Sequence, residues 1–263
     1  MCGICGEIRF DNEAPDRARI RRMMDRLARR GPDSEGCYIN GNAGLGHRRL
    51  AVIDLSDKAG QPMVDNELGL SLVFNGTIYN YPELREALIA KGHRFVSTGD
   101  TEVILKAYAE WGIDSLQRLH GMFAFAIRDR NNGKLILARD RVGIKPLYFS
   151  HDQNRLLFAS TTQALLAADA SIDTSIDAFA MHNLFSLHAV VPAPRTILKG
   201  IRKVRPAHYM VFNDDGAVEE KRYWTLTAKR PGKAMDENEW IHAIHDALRN
   251  SVERRLKIAD VPV

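Results

Sequence analysis

Cysteine is scarce in this chain: its 263 residues hold only Cys2, Cys5 and Cys37, an odd set with a single C-x-x-C. That set excludes a disulfide framework, and no second C-x-x-C or suitably spaced Cys/His pair completes a tetrahedral zinc site. Long apolar runs are missing too. No stretch is long enough to cross a bilayer and no apolar segment of signal-peptide type lies near the start, so a reduced, cytoplasmic protein without a membrane partner is expected. Phosphate-cradling signatures of the G-x-x-x-x-G-K-[ST] and G-x-G-x-x-G forms are absent, as are internal repeats and low-complexity segments.

What is present is ordinary for a globular protein: 45% hydrophobic and 27% charged residues. The length suits one good-sized domain, or one domain plus a fragment of a second, and suffices for a substantial core. The net charge is +4. Much of the excess sits in Arg17, Arg19, Arg21, Arg22, Arg26, Arg29 and Arg30. Such a cluster could contact nucleic acid, but no aromatic interleaving or nucleic-acid motif accompanies it. An amphipathic helix explains it better, with Ile20, Met23, Met24 and Leu27 towards a core and the arginines towards water.

Local patterns predict a strand over 3–10 and a helix from about Pro15 to Arg30, stopped by Gly31-Pro32-Asp33. Short apolar runs then recur at Leu50–Leu55, Leu70–Phe74, Met122–Ile127, Leu135–Ala138, Pro146–Phe149 and Leu156–Ala159, as strands of an antiparallel sheet should. Asn131-Asn132-Gly133 suits a hairpin turn between two of them. Helices are predicted from Tyr81 to about Lys91, over Thr101–Trp111 and over Asp177–Leu187, and a strand over Val204–Phe212. Elements in batches rather than strict alternation indicate an α+β fold. Residues 226–238 read as a linker. From 239 the pattern is helical again, with Ile241, Ile244, Leu248, Val252 and Leu256 forming an apolar stripe.

Cys2 is the first candidate for chemistry. Small second residues generally permit removal of the initiator Met, which would leave Cys2 with a free α-amine. An α-amine has an ordinary pKa near 7.7–8.0, so part of it is neutral at physiological pH and can act as general base for the adjacent thiol. Gly3 and Gly6 would allow close backbone approach around the reacting centre. Taken alone, Cys2 reads more readily as an incidental cysteine than as a nucleophile.

The strings MCGICGEIRF, RGPDSEG, GHRRLAVIDLS, QPM, FNGTIYNYPELR, GDTEVILKAY, HGMFAFAIRD, LARDRVGIKPLY and VPAPRTILKGIRK occur in order. Together they resemble the glutaminase domain of the glutamine-hydrolysing asparagine synthetase family, N-terminal-nucleophile amidotransferases, over about residues 1–225. The resemblance implies a four-layer αββα sandwich with two antiparallel sheets. It implies that Cys2 attacks the side-chain amide of glutamine, releasing ammonia through a thioester. It places Asn75 (side-chain amide) and Gly76 (backbone N–H) in the oxyanion hole, where each donor is typically worth a few kcal/mol. Arg49 would clamp the substrate carboxylate bidentately and Asp100 its ammonium. Leu50 and Val52 would line the pocket. Duller readings stand beside these: Asn75-Gly76 as a turn, Arg49 as a surface guanidinium, Asp100 as the N-cap of the following helix. Cys5 needs no function beyond that of a small buried hydrophobe. Thr77 is a departure, because many relatives carry Glu there; its hydroxyl supplies a hydrogen bond but no charge, leaving Asp100 the larger share of the ammonium.

The family's second domain activates an acceptor with ATP and begins with a helix, then an SGGxDS loop. Residues 239–263 resemble that lead-in, but the loop does not occur. The glutaminase half therefore needs no cofactor, while ATP and Mg belong to a synthetase domain or partner chain that accepts the ammonia. The apolar stripe after 239 calls for such a partner or for self-association as a homodimer. Thr77 and His188-Ala189-Val190-Val191-Pro192 point to the branch that amidates N-acetylglutaminylglutamine more than to aspartate. Two other classes stay open: a non-catalytic glutamine-binding or regulatory module, and a C-x-x-C redox or metal protein.

Overall fold

Alternation of apolar and other side chains builds the strands: β1 (Gly3–Arg9), β2 (Ser34–Asn40), β3 (Ala43–Arg49), β4 (Met63–Asp65), β5 (Leu70–Ile78), β6 (Gly121–Asp129), β7 (Lys134–Arg139), β8 (Tyr148–His151), β9 (Arg155–Ala159), β10 (Arg202–Lys203), β11 (His208–Asn213) and β12 (Val218–Arg222). Helices α1 (Arg17–Leu27), α2 (Tyr81–Ala90), α3 (Asp100–Trp111), α4 (Ser115–Arg118), α5 (Thr162–Ala168), α6 (Ala178–Ser186) and α7 (Glu237–Leu256) fall between and after them. The computed structural model describes residues 1–11, 13–230, 232 and 234–261, so Pro262 and Val263, the end of the predicted synthetase lead-in, lie outside the described residues.

The strands form two sheets, ordered β10-β8-β9-β1-β3-β2 and β12-β11-β7-β6-β5-β4, with antiparallel pairing throughout. Their inner faces meet in one apolar layer that includes Ile4, Ile8, Leu45, Val73, Ala124, Leu137 and Phe158. The outer face of the first sheet packs on α1 and α5 through Cys5, Ile20, Met23, Leu27, Leu157 and Leu165. The outer face of the second carries α2 and α3 through Leu72, Phe74, Leu84, Leu88, Val103 and Ile104. This is the αββα, α+β sandwich that the resemblance implies. Each fully buried large apolar side chain contributes roughly 2 kcal/mol to holding the layers together, an upper estimate given a compact unfolded chain.

Several local expectations need correction. Helix α1 starts at Arg17, capped by the Asp16 carboxylate on the Ala18 N–H, so Pro15 precedes the cap. Its apolar face is as predicted, but not every arginine faces water: Arg19 pairs with the buried carboxylate of Glu7, and Arg30 turns inward. Residues 50–55 form no strand but an irregular loop, whose carbonyls at Ile53 and Asp54, with that of Ser56 just beyond, accept from the Arg49 guanidinium instead of from a neighbouring strand. The Asn131-Asn132-Gly133 turn does join β6 to β7, with Gly133 at φ +63°. Gly3 and Gly6 serve packing: a Cβ on Gly3 would lie 2.8 Å from Leu27 Cβ, and one on Gly6 2.4 Å from the Phe158 ring.

Candidate active site

Strand parity decides which side chains can meet. On β3, Leu45, His47 and Arg49 share the inner face; on β5, Val73 and Asn75 share the inner face opposite it. Cys2 immediately precedes β1, and Gly3 pairs with Arg48 of β3, which brings the thiol beside the chain leaving Arg49. The result is a cavity of about 460 Å³ at one end of the layer between the sheets. Cys2, Arg49, Leu50, Val52, Asn75, Gly76, Thr77 and Asp100 all line it. Its size is that of an ordinary small-ligand site.

Leu50 holds the thiol by its backbone: its N–H lies 3.4 Å from Cys2 Sγ and its carbonyl 3.6 Å. Burial pushes the Cys2 thiol pKa up, and the Leu50 hydrogen bond and nearby cations only partly oppose this. A thiol in that state needs a base. Asn75 is fully buried on β5, yet neither its Nδ2 nor its Oδ1 has a hydrogen-bond partner among the described residues. An unpaired buried amide costs about 1–3 kcal/mol, so its retention marks a position built to receive something.

The open edge of β5 explains the neighbouring geometry. Strand β4 pairs only with Leu70–Leu72. Beyond that point side chains complete the edge: Gln61 Oε1 accepts from the Phe74 N–H at 2.6 Å, and Asp100 Oδ2 accepts from the Ile78 N–H at 3.0 Å. In an antiparallel strand residues 74, 76 and 78 aim their backbone groups at the same edge, so the Gly76 N–H turns to the cavity. A side chain at Gly76 is barred, because its Cβ would lie 2.2 Å from the Met122 carbonyl of the paired strand.

Asp100 opens α3; Gly99, not Asp100, is the N-cap. Burial pushes the Asp100 carboxyl up to about 7, with the Ile78 N–H pulling the other way. Arg49 is braced by Ser56 O at 3.0 Å and by the Asp54 carbonyl, which fixes the plane of its fork at the cavity wall. Thr77 is half-buried and lines the wall beside Gly76.

The structure adds residues that the sequence reading passed over. Arg30 Nε donates to the Cys2 carbonyl at 3.0 Å, and the buried Lys145 lines the cavity close enough to Cys2 for the two charges to interact. Both lie inside the quoted strings RGPDSEG and LARDRVGIKPLY, but neither string says which side chain turns inward. The tail after α7 returns to the site. The Asp260 N–H donates to Val52 O at 2.9 Å, the Asp54 N–H donates to Asp260 Oδ2 at 2.7 Å, and the buried Ile258 lines the cavity. Arg255 lies 4.6 Å over the Tyr79 ring.

Two stacked antiparallel sheets between helical layers, with a cysteine entering an inner strand at the cavity, define the N-terminal-nucleophile class of glutamine amidotransferase folds. A family model described as "Glutamine amidotransferase domain" matches residues 1–224, and the chain belongs to that family. It is 35% identical over its whole length to asparagine synthetase [glutamine-hydrolyzing] 3 of Bacillus subtilis, of which it covers 42%. It is 36% identical to putative asparagine synthetase [glutamine-hydrolyzing] 2 of Methanocaldococcus jannaschii, covering 53% of it. The chain thus spans about half the length of these curated relatives or less. Among solved structures, the B. subtilis glutamine phosphoribosylpyrophosphate amidotransferase complexed with ADP and GMP superposes over 86% of this chain and 50% of its own. The TM-score is 0.63 at 20% identity, a likeness of fold.

Proposed function

We propose that the cavity hydrolyses glutamine to glutamate and ammonia, with Cys2 as nucleophile. The observation that carries this reading is the buried, unpartnered Asn75 amide in the same cavity as the Cys2 thiol. With Met1 removed, the Cys2 α-amine takes the thiol proton as sulfur attacks the side-chain amide carbon. The oxyanion forms against Asn75 Nδ2 and the Gly76 N–H. Collapse expels the amide nitrogen, which leaves as ammonia with the proton held by the α-amine. Water then attacks the thioester, giving glutamate and regenerating the thiol. Arg49 holds the substrate carboxylate, Asp100 its ammonium, and Leu50, Val52 and Thr77 the sides of the molecule.

This half-reaction draws on a thiol and an amine and calls for no cofactor. Ammonia passes to a synthetase domain or partner chain, where ATP and Mg activate the acceptor. Residues 1–225 are the glutaminase unit, 226–238 the linker and 239–263 the lead-in to that second unit. Aspartate and N-acetylglutaminylglutamine are the two acceptors to compare, by amide formation with the synthetase unit present.

The C-x-x-C redox reading loses its footing in the core. Cys5 is fully buried on the face of β1 that packs against α1, and burial pushes its thiol pKa up. The test is ammonia release from glutamine by the wild-type chain, Cys2→Ala and Cys5→Ser. Cys2→Ala is expected to be inactive and Cys5→Ser to retain activity. Turnover surviving in Cys2→Ala, or lost equally in both, contradicts the reading.

A further inference from the structure

The Phe74 carbonyl also lies on the open edge of β5, and its partner comes from the other sheet. His47 on β3 is wholly buried, and its Nε2 lies 3.2 Å from Phe74 O. A carbonyl can only accept, so Nε2 carries a proton, and burial, which pushes the His47 pKa down, keeps the imidazole neutral. Its Nδ1 has no partner among the described residues, leaving this bond as the ring's one polar tie. The peptide that carries Phe74 O also carries the Asn75 nitrogen. A clamp on that carbonyl therefore fixes the plane from which the Asn75 side chain departs. Gln61 holds the other side of the same residue, with Oε1 2.6 Å from the Phe74 nitrogen and its own amide 3.3 Å from Thr101 Oγ1. One residue ahead of Asn75, both backbone groups of β5 are thus tied by side chains rather than by a strand.

We propose that His47, with Gln61 as second clamp, is a positioning residue that preorganises the Asn75 and Gly76 oxyanion donors. The inference rests on the glutaminase reading of the cavity. His47 is not among the residues that line the cavity and acts through the 74–75 peptide; Gln61 lines it and acts through the Phe74 N–H. Oxyanion donors act on the transition state and little on bound substrate, so a loosened clamp should appear in kcat rather than KM. A displacement of the donors by a fraction of an ångström is enough for such an effect.

The test compares His47→Leu, which removes the donor, with His47→Gln, whose amide N–H can reach the same carbonyl. His47→Leu is expected to lower kcat for glutamine hydrolysis at least tenfold with KM changed less than about threefold. His47→Gln is expected to recover most of the loss. An aldehyde analogue of glutamine supplies a second readout: the Cys2 thiol adds to it to form a hemithioacetal whose oxygen occupies the oxyanion position. His47→Leu should weaken this analogue by the factor lost in kcat/KM. Glutamine binding measured in the Cys2→Ala background should not change. Gln61→Leu should show the same pattern in milder form. If His47→Leu does not fold, as judged by thermal unfolding, His47→Asn replaces it, its amide being too short to span the gap. An unchanged kcat, or equal losses in aldehyde binding and in glutamine binding to the Cys2→Ala background with no recovery in His47→Gln, overturns the inference. Hydrolysis that persists in Cys2→Ala would instead overturn the glutaminase reading, so the two failures are distinct.

Discussion

Asp100 carries a carboxyl into a site from which water is nearly excluded, and under the proposed function its proton becomes part of substrate recognition. With its pKa raised to about 7, the folded chain binds a proton that the unfolded chain has already lost above pH ~4. Asp100 therefore lowers stability as pH rises from about 4 to 7, and the effect is complete above that window. On the proposed function, glutamine's ammonium reverses the preference by pairing with the carboxylate. Affinity for glutamine in Cys2→Ala is expected to rise roughly tenfold from pH 6 to pH 8, with proton release on binding at the lower pH. Calorimetry in two buffers of different ionisation enthalpy measures both quantities. Asp100→Asn should abolish the slope and weaken binding by roughly 2 kcal/mol, about thirtyfold. A slope unchanged in Asp100→Asn would assign the proton to another group. Thr77, which brings no charge beside Gly76, is the reason so much of the ammonium falls to Asp100 in this account.

Strand β5 joins the two demands of the fold. Its inner face fills the space between the sheets, and its uncovered edge beyond Leu72 faces the cavity. Gly76→Ala would set a Cβ against the Met122 carbonyl and force β5 and β6 apart. A loss of about 1–3 kcal/mol in urea unfolding is expected, with ammonia release lost as the donor moves. Full stability in Gly76→Ala would mean that the two strands can separate at no cost. The loop 51–56 is the counterpart on the opposite wall. It is held by Arg49 from below and by Asp260, and Asp260→Ala is expected to speed hydrogen exchange at the Asp54 amide by tenfold or more. Exchange at the wild-type rate would deny the tail any hold on the loop.

These elements also show what a sequence can disclose. Apolar runs at Leu70–Phe74, Met122–Ile127 and Leu156–Ala159 are legible because sheets buried on both faces demand them. Leu50–Leu55 is also an apolar run but is no strand, and its carbonyls at Ile53 and Asp54 find a guanidinium rather than a neighbouring strand. Strands β2 and β12 are hard to see for the opposite reason: each is a sheet edge or close to solvent, and Val218–Arg222 is exposed at every residue. Cys2, Asn75, Arg49 and Asp100 stood out because the strings around them are distinctive. His47, Gln61 and Asp260 did not, because their partners are backbone groups 27, 13 and 206 residues away.

At the scale of the molecule, α7 is well formed yet turns its apolar stripe outwards. Asp236 and Glu239 close a capping box at its start, and Ile241, Ile244, Leu248, Val252 and Leu256 are all exposed. An exposed apolar stripe of this length is a candidate association surface. Light scattering on the isolated chain is expected to show concentration-dependent self-association, relieved in Ile244→Lys/Leu248→Lys with glutamine hydrolysis intact. A monomer at all concentrations with α7 fully protected in hydrogen exchange would remove the case for a partner there. The central claim concerns the opposite terminus and is most directly tested by mass. After incubation with an electrophilic glutamine analogue, the intact chain should have lost Met1 and gained one adduct, mapped by peptide digestion to Cys2 and suppressed by excess glutamine. An adduct on Cys5 or Cys37, or none on a chain that still releases ammonia, would contradict it.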